Sequence, residues 1–253
     1  MAARISEPAI VLHAYDYSES SQVLSLLCRE TGRLRLLAKG TRRSTRTRFD
    51  PGIDLLERGH AVARPAREHG QLGLLIEWSQ QEAFLHIRRS RLRMLGALYA
   101  AELSERMTEE ADPHPELFDD LAGLLHALDR GVDDPHAPPP DVALTRFIAR
   151  LLRHVGYAPQ WTRCVACGKP YPPGARAYFS STAGGVLCTR CSTRYADRLV
   201  VPPGVLSKDA GPAACLARFE LLDAHITRLV GRPLRSRSLL HPLLLARAGK
   251  GKG

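Results

Sequence analysis

The sequence predicts an α+β chain of more than one domain: an N-terminal closed β-barrel, then an α-helical domain with an embedded four-cysteine module. Three observations predict it. Short β-rich runs separated by turn residues fill residues 8 to about 78. The hydrophobic period changes from two to that of a helix at Arg88. Two Cys-x2-Cys pairs, Cys164/Cys167 and Cys188/Cys191, interrupt the helical part. With 253 residues, 44% of them hydrophobic, the chain can bury a sizeable core.

The strands come first. Residues 9–15 and 22–28 are apolar, β-rich runs, and Glu30-Thr31-Gly32 forms the turn that follows. Residues 33–39 alternate, with Leu34, Leu36 and Ala38 on one face and Arg33, Arg35 and Lys39 on the other. Residues 55–62 and 71–78 complete a set of five short strands, which fits a small closed barrel. Helices follow at 88–108 (Leu92, Leu95, Tyr99 and Leu103 inward) and at 115–128. A third is expected to start with Asp141 as its cap and to end at Gly156, with Leu144, Phe147, Ile148, Leu151, Leu152 and Val155 inward. A fourth covers 212–230. These stripes read as core. The apolar run 239–246 is broken by His241 and Pro242 and is far shorter than a membrane span of roughly 20 residues. The first residues lack the apolar core of a secretory signal, so a cytoplasmic protein without a membrane partner is expected.

Charge is unevenly placed. Lys and Arg number 36 against 26 Asp and Glu, a net charge of +10. Residues 31–49 contain no acid and seven cations: Arg33, Arg35, Lys39, Arg42, Arg43, Arg46 and Arg48. Arg88, Arg89, Arg91 and Arg93 form a second cluster, and no acid follows Asp223. Residues 109–141 carry the opposite sign. A block of like charges repels itself unless a polyanion neutralises it, so the first cluster is a candidate phosphate track. Tyr15, Tyr17 and Phe49 flank it and either stack on bases or pack locally.

The two cysteine pairs are separated by 20 residues. Thiolates two residues apart can face one ion from a tight turn, and two such turns make a tetrahedral site. Cys164, Cys167, Cys188 and Cys191 are therefore expected to bind one structural Zn2+, with no open position for catalysis. Gly168 and Gly184-Gly185 let the turns bend. Cys28 and Cys215 read as core thiols. No phosphate-binding loop, dinucleotide fingerprint, His-Glu-x-x-His or Gly-x-Ser-x-Gly motif is present, and no catalytic residues are assigned.

Three stretches of this sequence are similar to one family. They are residues 9–43, from Ala9-Ile-Val-Leu through Glu30-Thr-Gly32 to Lys39-Gly-Thr-Arg-Arg43; residues 152–168 continued by 179–188; and Gly231-Arg-Pro-Leu-Arg-Ser-Arg237. In order and spacing the chain resembles the bacterial DNA repair and recombination mediator RecO. The resemblance implies an OB-fold barrel over 1–80, a helical domain over 81–160 and 195–248, a zinc module over 161–194 and a flexible basic tail over 249–253. It implies a protein that is not an enzyme, acts near the nucleoid, binds single- and double-stranded DNA and anneals complementary strands. It further implies a partnership with RecR, contact with the C-terminal tail of single-strand-binding protein, and loading of RecA. Arg235 and Arg237, in the third stretch, either join the DNA surface or stabilise a helix end. The competing expectation is a zinc-containing RNA-binding or ribosome-associated protein on the same barrel; a metal-dependent nuclease is a second competitor.

Overall fold

The computed structural model describes residues 4–41, 53–66, 68, 70–131, 134, 136–170, 176–205 and 211–250. They group into two units, Met1–Ala137 and Pro138–Gly253.

In the first unit, β1 (Ile5–Ser18), β2 (Ser21–Cys28), β3 (Gly32–Lys39), β4 (Arg58–Arg64) and β5 (Gly73–Glu82) close into a barrel in the order β1-β2-β3-β5-β4. Neighbours are antiparallel except β3 and β5, which pair in parallel through Leu36↔Gly73, Leu37↔Leu74 and Ala38↔Leu75. This is the OB-fold arrangement. Its interior is filled by Ala9, Val11, Leu24, Leu26, Leu34, Leu36, Ala38, Ala61, Ala63, Leu75 and Trp78. The expected alternation of β3 holds, with Leu34, Leu36 and Ala38 inside.

The register of β1 against β2 shifts between Val11 and His13. One extra residue, Leu12, reverses the alternation, so His13 and Tyr15 face outward beside Ser25 and Val23. Before the bulge, Ile10 and Leu12 are buried on the outside of the barrel together with Leu27. The helix α1 (Arg91–Met107) packs on β1 there. Its buried face is Gly96, Ala97, Tyr99, Ala100, Leu103 and Ser104, and small residues let a helix approach a strand closely. Leu92 and Leu95, expected on that face, are only partly buried. A 3-10 turn (Leu85–Arg89) precedes α1, and α2 (Pro115–Arg130) follows it with Leu117, Phe118, Leu121, Leu124, Leu125 and Leu128 buried. Arg93 donates to the carbonyls of Leu128 and Gly131 and so satisfies the end of α2.

The turn between β2 and β3 is held by a buried carboxylate. Glu7 accepts from the backbone N–H of Glu30 and Thr31 and from the Thr31 hydroxyl. Gly32 has φ +82°, and a Cβ there would overlap the Asp112 carbonyl. Gly32→Ala meets both obstacles, left-handed backbone and a rigid neighbour. It should cost about 2 kcal/mol or more, read as a lowered denaturant midpoint; an unchanged midpoint would show that the 108–112 segment yields freely.

In the second unit, α3 (Pro140–His154) packs against α5 (Pro212–Val230), and α6 (Arg237–Lys250) packs against α5. Between α3 and α5 lie β6 (Ala177–Ser180), β7 (Gly185–Cys188), the single turn α4 (Thr189–Ser192) and β8 (Leu199–Val201), whose sheet order is β7-β6-β8. α3 buries the expected stripe except Val155, which lies at its C-terminal boundary and is partly buried; Gly156, just beyond, adopts φ +78°. Asp141 does not cap it. Pro139 and Pro140 occupy the cap and the first helical position, and the buried Asp141 carboxylate accepts from Arg247 Nε at 2.9 Å. The helix α6 was not foreseen. Pro242 stands inside it, yet Leu240, Leu244 and Ala248 recur at four-residue spacing and are buried.

Candidate metal centre and nucleic-acid interface

The metal centre is assembled from two backbone turns tied to one hairpin. Gly168 N–H donates to Cys164 O at 2.8 Å, and Cys164 N–H donates to Lys169 O at 2.9 Å. Gly168 takes φ +69°, which closes the turn around Cys164 and Cys167. This segment is stitched to β7 by Val165 N–H to Val186 O at 3.0 Å and by Val186 N–H to Gln160 O at 2.9 Å. β7 ends at Cys188 and α4 contributes Cys191. The four ligand sulfurs lie within 4.8 Å of one another, and the same four cysteines are the cluster expected from spacing. A tetrahedron with sulfurs ~2.3 Å from its centre has edges of about 3.8 Å, so small adjustments would seat one ion.

The thiols do not behave alike. Burial opposes ionisation of Cys164, but backbone hydrogen bonds at Cys188, Ala166 and Cys167 outweigh it and draw the thiol down to about 6. Cys191 is pushed the other way, up to about 12, first by its hydrogen bond with Cys188 and then by burial. A negative charge is thus favoured on one sulfur and opposed on its neighbour, and a divalent cation is the group that allows all four to ionise. Cys28 and Cys215 are buried and their thiols are raised by burial, as expected of core cysteines.

On the barrel, β3 turns Arg33, Arg35 and Lys39 to the outside. Lys39 is exposed and Arg35 is 43% exposed in its side chain. Residues 33 and 35 also border a small polar pocket of about 290 Å³ on the outer face of β1, β2 and β3, closed on one side by Glu105, Arg106 and Glu110. In the second unit a groove of about 1170 Å³ is lined by the exposed Leu199 and Val200 of β8, by the acids Asp197, Glu220 and Asp223, and by Arg228.

Comparison with known proteins gives these features a family. Residues 1–84 match the model for Recombination protein O N terminal, and residues 88–238 match Recombination protein O C terminal. The chain belongs to the RecO family. The DNA repair protein RecO of Anaeromyxobacter sp. (strain K) is 32% identical over 252 residues, covering 94% of this chain and 96% of that one. The DNA repair protein RecO of Anaeromyxobacter sp. (strain Fw109-5) is 36% identical over 220 residues, covering 87% and 80%. That of Myxococcus xanthus (strain DK1622) is 31% identical over 246 residues, covering 92% and 95%. The two family models meet at residues 84–88, just after β5.

Within this RecO chain, the expected cations fall into three groups. Arg35, Lys39 and Arg235 are exposed. Arg42, Arg43, Arg46 and Arg48, with Phe49, lie outside the described residues. Arg33 and Arg237 are partly covered and paired within the chain. Arg33 is only 14% exposed in its side chain, donates through Nε to Thr108 O at 3.2 Å and faces Glu110 at 3.6 Å. The segment after α1 runs alongside the start of β3 and bridges to it there, which covers that guanidinium. Arg237 opens α6 and pairs with Asp223 of α5, whose carboxylate is 4% exposed; a buried acid demands this counter-charge. It braces two helices. Of the second basic cluster, Arg88 pairs with Asp54 and Arg93 closes α2. The pocket residues Ser25 and Arg106 escaped sequence reasoning. A bulge and a helix end bring them together, and neither leaves a periodic signal.

Proposed function

We propose that this chain is a non-catalytic recombination mediator of the bacterial cytoplasm, working close to the nucleoid. It binds single- and double-stranded DNA through the barrel, anneals complementary strands, and acts with RecR to help load RecA onto strands covered by single-strand-binding protein. One Zn2+ on Cys164, Cys167, Cys188 and Cys191 holds the small sheet. The acidic C-terminal tail of single-strand-binding protein is a further partner.

The observation that carries this reading is the placement of exposed Arg35 and Lys39 on a barrel strand that leads directly into Arg42, Arg43, Arg46 and Arg48. Arginine forks bind phosphate oxygens without reading base edges. Screening phosphates while leaving those edges free is what annealing needs. Log affinity for single strands should fall with log salt, by roughly 0.7 for each phosphate contact. The quadruple variant R42A/R43A/R46A/R48A should flatten that slope by roughly 3 and weaken all sequences alike. The deciding experiment is an annealing assay on complementary oligonucleotides, with and without single-strand-binding protein. Faster annealing that the quadruple variant loses supports the reading. A preference for RNA, or cleavage of labelled DNA with Mg2+, overturns it.

A further inference from the structure

We infer that the pocket on the outer face of β1, β2 and β3 seats one unpaired nucleotide, so that this face distinguishes single strands from duplex. The inference rests on the DNA-binding reading above and deepens it. Strand pairing lines up His13, Ser25 and Arg35 side by side, and Tyr15 opposite Val23 in the next outward row. Tyr15 stacks on His13 with ring centroids 3.9 Å apart and stays 49% exposed, a flat platform already backed by a second ring. Base-on-aromatic stacking of this kind tolerates any base. The pocket volume of about 290 Å³ suits one base and its sugar.

Two further observations point to a ligand. Ser25 is 2% exposed, and its Oγ is buried without a hydrogen-bond partner although it borders the pocket. Leaving such a hydroxyl unpaired costs stability, and a polar group entering the pocket would complete it. Beside it, Arg33 is held by Thr108 O, whereas Arg35 is the more exposed of the two. One Glu110 oxygen stands 3.6 Å from Arg33 Nη1 and 3.8 Å from Arg35 Nε, both beyond hydrogen-bond length. A phosphate beside Arg35 and the exposed Arg106 would have several oxygens to offer where Glu110 now offers one. A base inside the pocket is out of any double-helical stack, so the duplex formed by annealing would lose this seat and leave more readily.

Full-length protein and fluorescence anisotropy test the inference with labelled oligo-dT and the matching dT·dA duplex. Tyr15→Ala should weaken oligo-dT about ten-fold and leave duplex affinity unchanged, while Tyr15→Phe restores it. Arg106→Ala should weaken oligo-dT and reduce its salt slope by roughly 0.7. Ser25→Ala should raise the thermal midpoint yet weaken oligo-dT, a divergence that a packing role does not produce. Equal losses on both DNAs, or no loss on either, overturn the seat while DNA binding stands. If the unaltered protein binds neither DNA, the underlying reading itself fails.

Discussion

Removing the proposed Zn2+ from the four-cysteine cluster should abolish the folding transition of the small sheet and spare that of the barrel. The strands there hold four, four and three residues. One face of the sheet buries Cys164, Leu187 and Cys191, with Val165, Tyr178, Ala183 and Tyr195 partly covered, while the other buries Ala177, Phe179, Val186 and Val201 against Val205 and, from α5, Leu221. Three short strands whose cysteine-bearing face is pinned by so few apolar side chains need a further tie to order the Cys164–Cys167 turn and α4. Structural zinc contributes roughly 10–16 kcal/mol in finger peptides, comparable with the whole stability of a domain. The barrel has its own core of Leu24, Leu26, Leu36, Trp78 and their neighbours. A chelator, or Cys191→Ser without one, should therefore remove one calorimetric transition and leave another. Metal analysis should return one zinc per chain. A melt untouched by chelation would refute the assignment.

Arg237→Ala should be the most damaging single change among the cations once assigned to DNA. It takes the guanidinium away from the Asp223 carboxylate of α5, which is 4% exposed. Losing one partner of a buried pair costs about 3–5 kcal/mol, and the 37% exposure of the Arg237 side chain pulls the expectation toward 2–3 kcal/mol. For a chain of this size that is a fall in Tm of about 5–10 °C. The double change D223L/R237M removes both charges, keeps apolar bulk and should recover most of the loss. Salt-dependent DNA affinity, measured well below the melt, should be the same for Arg237→Ala and the unaltered chain. A weakened affinity with an unshifted Tm would return Arg237 to the DNA surface.

The barrel was legible because five short β-rich runs are separated by turn residues and β3 alternates cleanly. Leu34, Leu36 and Ala38 announce the inner face of β3, and the turn at Thr31-Gly32 announces its start. The four cysteines were legible because ligand spacing is set by metal geometry and not by the surrounding fold. What periodicity conceals is partnership. The outward position of Arg33 was read correctly, yet nothing local reveals that Glu110, far along the chain, covers it. Arg237 and Arg247 likewise meet acids 14 and 106 residues away. The bulge at Leu12 was hidden because one extra residue in an apolar run looks the same as a continued strand. For α6, His241 and Pro242 break the apolar run in sequence, yet packing on α5 keeps the segment helical.

β3 takes β5 as its neighbour and not β4. The stretch that leaves β3 at Lys39 and rejoins the barrel at Arg58 therefore links two strands that share no ladder, and its length is not dictated by any hairpin geometry. Its last residues are nevertheless fixed, since Ile53 enters the barrel core and Leu56 and Glu57 exchange backbone hydrogen bonds with Val11, so an added or deleted residue is tolerated only ahead of Ile53.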